Sequence, residues 1–204
     1  MIIGIDASSI VSSGGLTYLF ELINHINNEY HPEIKYIKVF ASQKVLDYLP
    51  DHPLIIKQTF WYLNSNKVAR IFFQSCLFDK YLLGQIDLLF SVTGDYIGNF
   101  RPLVGMSQNM LLYEREHWKD IPDLKERAKF YFNYIRQKIC FNKADGIIFL
   151  SNYARDYIQK VLSINNKKSI IIHHGISNKF LNNKNETTKP FSYYSFENPF
   201  KFLY

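Results

Sequence analysis

Short apolar runs alternate along the chain with longer segments in which apolar residues recur about every 3.6 positions. The short runs are bounded by turn residues, as β-strands are, and the longer segments are typical of amphipathic helices. Strands and helices in alternation indicate a parallel sheet that is covered by helices. The predicted fold class is therefore α/β, a Rossmann-like parallel sheet with helices on both faces.

Seven apolar runs are predicted to be strands: 2–6, 36–40, 54–56, 87–91, 103–106, 146–150 and 169–172. The first of them hardly alternates between apolar and polar residues, so we expect it to be buried on both faces. Helices are predicted from Leu16, where apolar residues repeat up to Ile26, and over the segments 43–49, 67–83, 123–142 and 152–162.

The residues 182–189 are polar throughout and offer no apolar side chain to a core. We interpret them as a linker. One domain is expected over 1–181, and 182–204 then contain the linker and, at 200–204, the first strand of a second domain that the chain end truncates.

Composition narrows the class of partner. The 204 residues carry a net charge of +6 and include 15 Tyr and 17 Phe. A basic, aromatic surface attracts phosphates, nucleic acid or an anionic membrane. No nucleic-acid-binding consensus accompanies the charge. A signal peptide and a membrane-spanning apolar run are both lacking, so we expect a cytoplasmic protein with at most peripheral membrane contact.

Cysteine and histidine do not suggest a metal site. Cys76 and Cys140 each stand alone in an apolar, helix-like stretch, and we predict two reduced thiols in the core. The six histidines show no metal-ligand spacing. No protein-bound metal and no cofactor are expected.

The loop after the first strand contains the pair Gly14–Gly15 immediately before a predicted helix. Ligands of open α/β sheets bind beyond the carboxyl ends of the strands, where a helix N-terminus offers free N–H groups. The loop is neither the Gly-x-Gly-x-x-Gly fingerprint nor a P-loop. It is a candidate ligand loop, and a simple tight turn is the alternative.

Other candidates also follow strands. Asp95 lies in the turn Val92–Tyr96, Ser151 precedes a predicted helix, and His174 and Gly175 follow the last strand of the domain. Each has a local alternative: turn chemistry for Asp95, a helix N-cap for Ser151, and a turn with a solvated histidine for the last pair.

Taken together, Gly14–Gly15, the strand from Ala144–Asp145 to Ser151, and His174-Gly175-Ile176-Ser177 with Phe180 resemble the N-terminal domain of glycosyltransferase family 4, retaining enzymes of the GT-B fold. The tail 200–204 is similar to the strand that opens the second domain of that family. The resemblance covers essentially the whole chain, with the segments in the expected order.

The resemblance implies transfer of a sugar from a nucleotide-sugar donor to an acceptor hydroxyl with retention, in surface polysaccharide or glycolipid assembly. The acceptor would be a glycan or a lipid-linked molecule. Many members carry a His-Asp pair after a middle strand, whereas this sequence has Gln108 and Asn109 there. These two are expected to contact sugar or phosphate at the cleft, or to satisfy loop backbone groups. No catalytic residue is assigned.

Two alternatives to a transferase stay open. One is a non-catalytic module, or one part of a split transferase that needs a separate donor-binding partner. The other is an unrelated nucleotide-binding protein such as a dehydrogenase, against which the missing third glycine argues. In the family the donor site belongs to the second half, so the 204 residues alone are expected to transfer no sugar efficiently.

The predicted helix 123–142 combines an apolar face with basic residues. The apolar face consists of Leu124, Ala128, Phe132, Ile135 and Ile139, and the surrounding cations are Lys125, Lys129, Arg136 and Lys138. This pattern is typical of a packed helix with a solvated basic face. It is also typical of a surface that docks on anionic lipid.

Overall fold

The computed structural model describes residues 1–11, 14–26 and 32–175. The chain divides into two compact units, Met1–His173 and His174–Tyr204. Of the second unit only His174 and Gly175 are described. The predicted domain boundary at 181, the linker and the strand 200–204 therefore lie outside the described residues.

The first unit is built on one seven-stranded sheet in which every neighbouring pair is parallel. Its strands are β1 (Ile2–Asp6), β2 (Tyr36–Phe40), β3 (Ile55–Gln58), β4 (Leu88–Ser91), β5 (Leu103–Met106), β6 (Gly146–Phe149) and β7 (Ser169–Ile171). All seven predicted strands are confirmed, and so is the α/β, Rossmann-like class.

The sheet has the order β3-β2-β1-β4-β5-β6-β7. The strands β2 and β3 follow on one side of β1, and β4 to β7 follow on its other side. Asp6 at the end of β1 lies in register with Ser91 at the end of β4. Connections that leave these two strands in opposite directions open a crevice between them, which is where open α/β sheets bind ligands.

Seven α-helices are described: α1 (Gly14–Asn24), α2 (Gln43–Tyr48), α3 (Trp61–Asn64), α4 (Lys67–Phe72), α5 (Phe78–Leu82), α6 (Leu124–Lys143) and α7 (Asn152–Leu162). The short α3 and the two 3₁₀ helices Met110–Leu112 and Arg115–Asp120 were not predicted. They span four, three and six residues. Segments this short do not establish a 3.6-residue period in the sequence.

Two hydrophobic clusters lie on opposite faces of the sheet. Val39 packs in a cluster with Leu19 of α1 and Val45 of α2. The next residue, Phe40, packs in the other cluster, with residues of the 67–82 segment, α6 and α7. Since successive side chains of a strand point to opposite faces, helices cover both sides of the sheet, as predicted.

The predicted helix 67–83 contains a π-helical turn, Phe73–Leu77, between α4 and α5. Phe73 and Gln74 of this turn are buried. A π turn inserts one residue into the helical period, so it changes which side chains face the sheet. The burial of Gln74, a polar residue, is one result.

The apolar face predicted for α6 is wrong over its first half. Leu124 is 73% exposed and Phe132 41%. The buried residues of α6 are Tyr134, Arg136, Gln137, Cys140 and Phe141. Gly105 of β5 has no side chain, and a Cβ there would lie 3.1 Å from the Phe141 ring, so it is the C-terminal half of α6 that packs closely on the sheet.

The cysteines are both free, but only Cys140 is in the core. Cys76 is exposed, which corrects the prediction of a buried thiol there. In the described parts of the chain no helix is long and apolar enough to cross a membrane. The same residues contain no cluster of His, Cys, Asp and Glu side chains suited to a metal ion.

Candidate functional site

A cavity of about 560 Å³ opens at the carboxyl ends of β1, β4 and β5. Its walls come from the loop after β1, from α4 and the π turn, from the loops after β4 and β5, and from α6. Uncharged polar side chains are a large part of the lining: Ser9, Gln74, Thr93, Gln108, Asn109, Asn133 and Gln137. The cavity therefore lies at the crevice that the strand order creates.

A hydrogen-bonded chain of buried side chains begins at Asp6 beneath this cavity. Asp6 Oδ1 accepts hydrogen bonds from the backbone N–H of Ser8, at 3.1 Å, and from the Ser8 hydroxyl. The same hydroxyl accepts a hydrogen bond of 2.7 Å from Gln74 Nε2. Gln74 thereby ties the end of β1 to the π turn.

The chain continues through Arg136 to a second carboxylate. Arg136 Nη2 donates to Gln74 Oε1 at 2.9 Å, and its Nη1 lies 3.0 Å from Asp95 Oδ2. Asp95 Oδ1 also accepts a hydrogen bond from the Thr93 hydroxyl. Arg136 and Asp95 are both buried. Their pairing compensates each charge where an unpaired one would be costly.

Burial raises the pKa of Asp6 from 3.8 to about 6. Loss of hydration is the largest cause, and the negative charge of Asp95 adds to it. The two hydrogen bonds from Ser8 and the positive charge of Arg136 act in the opposite direction. The raised pKa agrees with the lack of a direct cationic partner for Asp6 among the described residues, since such a partner would favour the ionised carboxylate.

Among the described residues, four cationic side chains and one carboxylate, that of Asp95, line the cavity. The cations are Lys67 and Arg70 of α4, and Lys129 and Arg136 of α6. Arg136 is paired with Asp95. The other three face the cavity without a carboxylate among the described residues, so the lining carries a positive charge that favours anions.

Gln108 and Asn109 both line the cavity, and both also satisfy local backbone groups. Gln108 Nε2 donates to the carbonyl of Val92 at 2.9 Å. Asn109 caps the 3₁₀ helix 110–112, with its Oδ1 accepting from Leu111 N at 3.0 Å. The backbone contacts that the sequence offered as the alternative are therefore present. They also hold both side chains in fixed positions at the cavity, and contact with a sugar or phosphate stays a prediction.

Gly15 and Asp95 also line the cavity. Gly14, the first residue of α1, is exposed and does not belong to the lining. The predicted ligand loop thus contributes one of its two glycines, together with Ser9, Ile10 and Val11. Gly15, Asp95, Gln108 and Asn109 are the four predicted residues that the structure brings together.

The structure does not bring Ser151 to the cavity. Ser151 is the N-cap of α7, and its hydroxyl accepts a hydrogen bond of 3.1 Å from the backbone N–H of Ala154. This is the local alternative that the sequence offered. His174 and Gly175 belong to the second unit and are both exposed. Their predicted roles stay predictions.

Sequence analysis missed Gln74, Arg136 and Gln137, which lie at the heart of the site. Arg136 was assigned to a solvated basic face, but it is 8% exposed. Its partners Gln74 and Asp95 lie 62 and 41 positions away in the sequence. No local pattern marks such pairing, and a cation within an aromatic helix was the only available signal.

No protein-family model matches this sequence, and a search of curated proteins gives no match either.

Proposed function

We propose that this chain is the acceptor-binding half of a retaining glycosyltransferase that transfers a sugar from a nucleotide-sugar donor to an acceptor hydroxyl. The supporting observation is a cavity lined by hydroxyl and amide groups at the strand-order reversal of a parallel sheet. Its volume lies within the range of about 300–1,000 Å³ that is usual for small-molecule sites. The resemblance to family 4 of the glycosyltransferases gives the proposal its reaction class.

In this proposal the cavity positions the acceptor. Asp95 is fixed by Arg136 and Thr93, so its carboxylate can accept a hydrogen bond from an acceptor hydroxyl in a defined direction. Gln108, held by the Val92 carbonyl, presents from the neighbouring loop an amide oxygen that accepts no hydrogen bond from the described residues. Fixed partners of this kind lower the entropic cost of aligning a hydroxyl for transfer. The donor is bound by groups outside the described residues, in a further domain or a separate protein.

The test is a titration with neutral glycosides, followed by NMR of the backbone amides. Asn133 lines the cavity, and Asn133→Ala should weaken glycoside binding about fivefold, the loss expected for one hydrogen bond. Asn152→Ala, at the exposed start of α7, is the matched control and should leave binding unchanged. Equal effects of the two variants, or no glycoside binding at millimolar concentrations, would contradict the proposal.

A transfer assay separates an enzyme half from a binding module. The 204 residues alone should release no nucleotide from a nucleotide sugar. Nucleotide release should appear when a donor-binding domain or partner is supplied together with a glycoside that binds the cavity. Glycoside binding that never leads to transfer in such a combination would identify a non-catalytic module instead.

We further propose that the first half of α6 contacts an anionic membrane from the cytoplasmic side, where a lipid-linked acceptor would be found. Leu124, Tyr131 and Phe132 are exposed there beside Lys125 and Lys129. Each lysine near an anionic surface contributes about 1 kcal/mol of attraction. Co-sedimentation with vesicles containing phosphatidylglycerol should decrease in Lys125→Glu, and vesicles of phosphatidylcholine alone should not bind. Equal binding to both kinds of vesicle would contradict this contact.

A further inference from the structure

The cations of the cavity do not have equivalent surroundings. Arg136 already has partners, because its guanidinium contacts Asp95, Gln74 and the Ser9 hydroxyl. The side-chain ammonium groups of Lys67 and Lys129 make no hydrogen bond or ion pair with any residue in the described parts of the chain. These two ammonium groups are available to a ligand.

Arg70 provides a second, independent observation. Its Nη2 donates to the carbonyl of Leu63 at 3.3 Å, whereas its Nε is buried and has no hydrogen-bond partner among the residues that the structure describes. Buried N–H groups of native proteins are nearly always paired, and an unpaired one calls for an explanation. Arg70 lines the cavity, so its guanidinium charge faces the space of a bound ligand, and a small shift of the side chain would let an anionic oxygen of that ligand accept from Nε.

The donors come from two different helices. Lys67 and Arg70 are on α4, within one turn of each other, and Lys129 is on α6, seven residues before the buried Arg136. A planar guanidinium with two flexible ammonium groups suits a group with several negatively charged oxygens. A neutral sugar hydroxyl would not require three cations.

We infer that the acceptor bound in this cavity carries a phosphate group, which Lys67, Arg70 and Lys129 bind. This inference rests on the proposed function for the sugar part of the ligand, and only on the cation geometry for the phosphate. The phosphate belongs to a soluble sugar phosphate or to a lipid headgroup, since both present the same oxygens.

The test compares glucose 6-phosphate with glucose by isothermal titration calorimetry at low salt. The phosphorylated sugar should bind at least tenfold more tightly than glucose. In Arg70→Gln and in Lys129→Gln this ratio should fall to about threefold or less. Arg70→Lys keeps the positive charge but lacks the Nε donor, so it should give an intermediate ratio. A thermal melt of each variant checks that it is folded.

Lys125→Gln and Lys138→Gln are matched controls, because they remove exposed cations of the same helix that do not line the cavity. Both should keep the ratio of the unmodified protein. If the controls reduce the ratio as much as Arg70→Gln does, the attraction is a general surface effect and the inference is wrong. An equal affinity for glucose and glucose 6-phosphate also overturns it.

The two proposals fail in distinguishable ways. If glucose binds but the phosphate adds nothing, the inference falls and the acceptor proposal stands. If inorganic phosphate binds with the expected variant pattern but no glycoside does, the inference stands and the acceptor proposal falls. A second experiment uses vesicles that contain phosphatidic acid. If the protein binds them, and if Arg70→Gln weakens this binding and glucose 6-phosphate displaces it, the phosphate belongs to a lipid headgroup. If no such binding occurs, the phosphate belongs to a soluble ligand.

Discussion

We expect the free energy of unfolding of the Asp6→Asn variant, compared with that of the unmodified protein at the same pH, to increase as pH rises. The Asp6 carboxyl is buried, and its pKa is raised to about 6 in the folded protein against an ordinary value of 3.8. Burial is the main cause, with a contribution from the charge of Asp95. Asn in this position keeps a side-chain oxygen that can accept the two hydrogen bonds from Ser8.

The sign of this pH dependence follows from the number of protons bound to the folded and to the unfolded protein. Between pH 3.8 and about 6 the folded protein holds the Asp6 proton more tightly than the unfolded chain does, so the free energy of unfolding falls as pH rises through this window. The whole window corresponds to about 3 kcal/mol at 1.36 kcal/mol for each pH unit. Asn at position 6 does not titrate. The difference in unfolding free energy, variant minus unmodified protein, should therefore increase by about 2–3 kcal/mol between pH 4 and pH 7.5.

The assay is urea unfolding at several pH values between 4 and 7.5, followed by tryptophan fluorescence. Carboxylates that do not interact with Asp6 titrate alike in both proteins and cancel in the difference. Asp51→Asn is the control. Asp51 is exposed, and its hydrogen bond and ion pair with Lys57 lower its pKa below the ordinary 3.8, so its contribution to stability is lost only as pH falls below about 4. Between pH 4 and pH 7.5 the difference in stability between this variant and the unmodified protein should therefore stay nearly constant.

A difference between Asp6→Asn and the unmodified protein that stays constant from pH 4 to pH 7.5 would refute this account of Asp6. A difference that changes in the opposite direction would show that the folded state prefers the ionised carboxylate. In either case the carboxyl would have a compensating partner in solution, and the network under the cavity would have to be revised.

Two further predictions concern the core beside the cavity. Gly94 has a φ of +63°, and a Cβ there would lie 2.3 Å from the carbonyl oxygen of Met106, so Gly94→Ala should cost about 3 kcal/mol or more of unfolding free energy. Gly84, with φ +69° and open space around it, is the control, and Gly84→Ala should cost only about 1–2 kcal/mol; equal losses in urea unfolding would contradict the steric argument. Cys76 is exposed, whereas burial raises the pKa of the Cys140 thiol, so a disulfide reagent at pH 8 should modify one thiol in the native protein and two in urea. Rapid modification of both thiols in the native protein would show that the second is accessible.

The sequence alone was sufficient for the class of fold and for the strands, because both depend on local patterns. A strand buried on both faces, such as β1, needs an uninterrupted apolar run, and such runs are visible without knowing what covers them. The alternation with helical segments then indicated a parallel sheet. Loops at the carboxyl ends of the strands follow from the same logic, and this is why Gly15 and Asp95 were identified before their common location was known. Gln108 and Asn109 were identified through the family resemblance instead.

Only the tertiary structure decided which face of α6 is buried and which polar residues form the site. Aromatic residues occur all around α6, so periodicity could not select the face that contains Tyr134, Arg136 and Phe141. The π turn inserts one residue into the helical period and so turns Gln74 toward the end of β1. The helix propensities of the residues do not indicate such a turn. Arg136 is buried because Asp95, far away in the sequence, compensates its charge, and such a pairing exists only after the chain has folded.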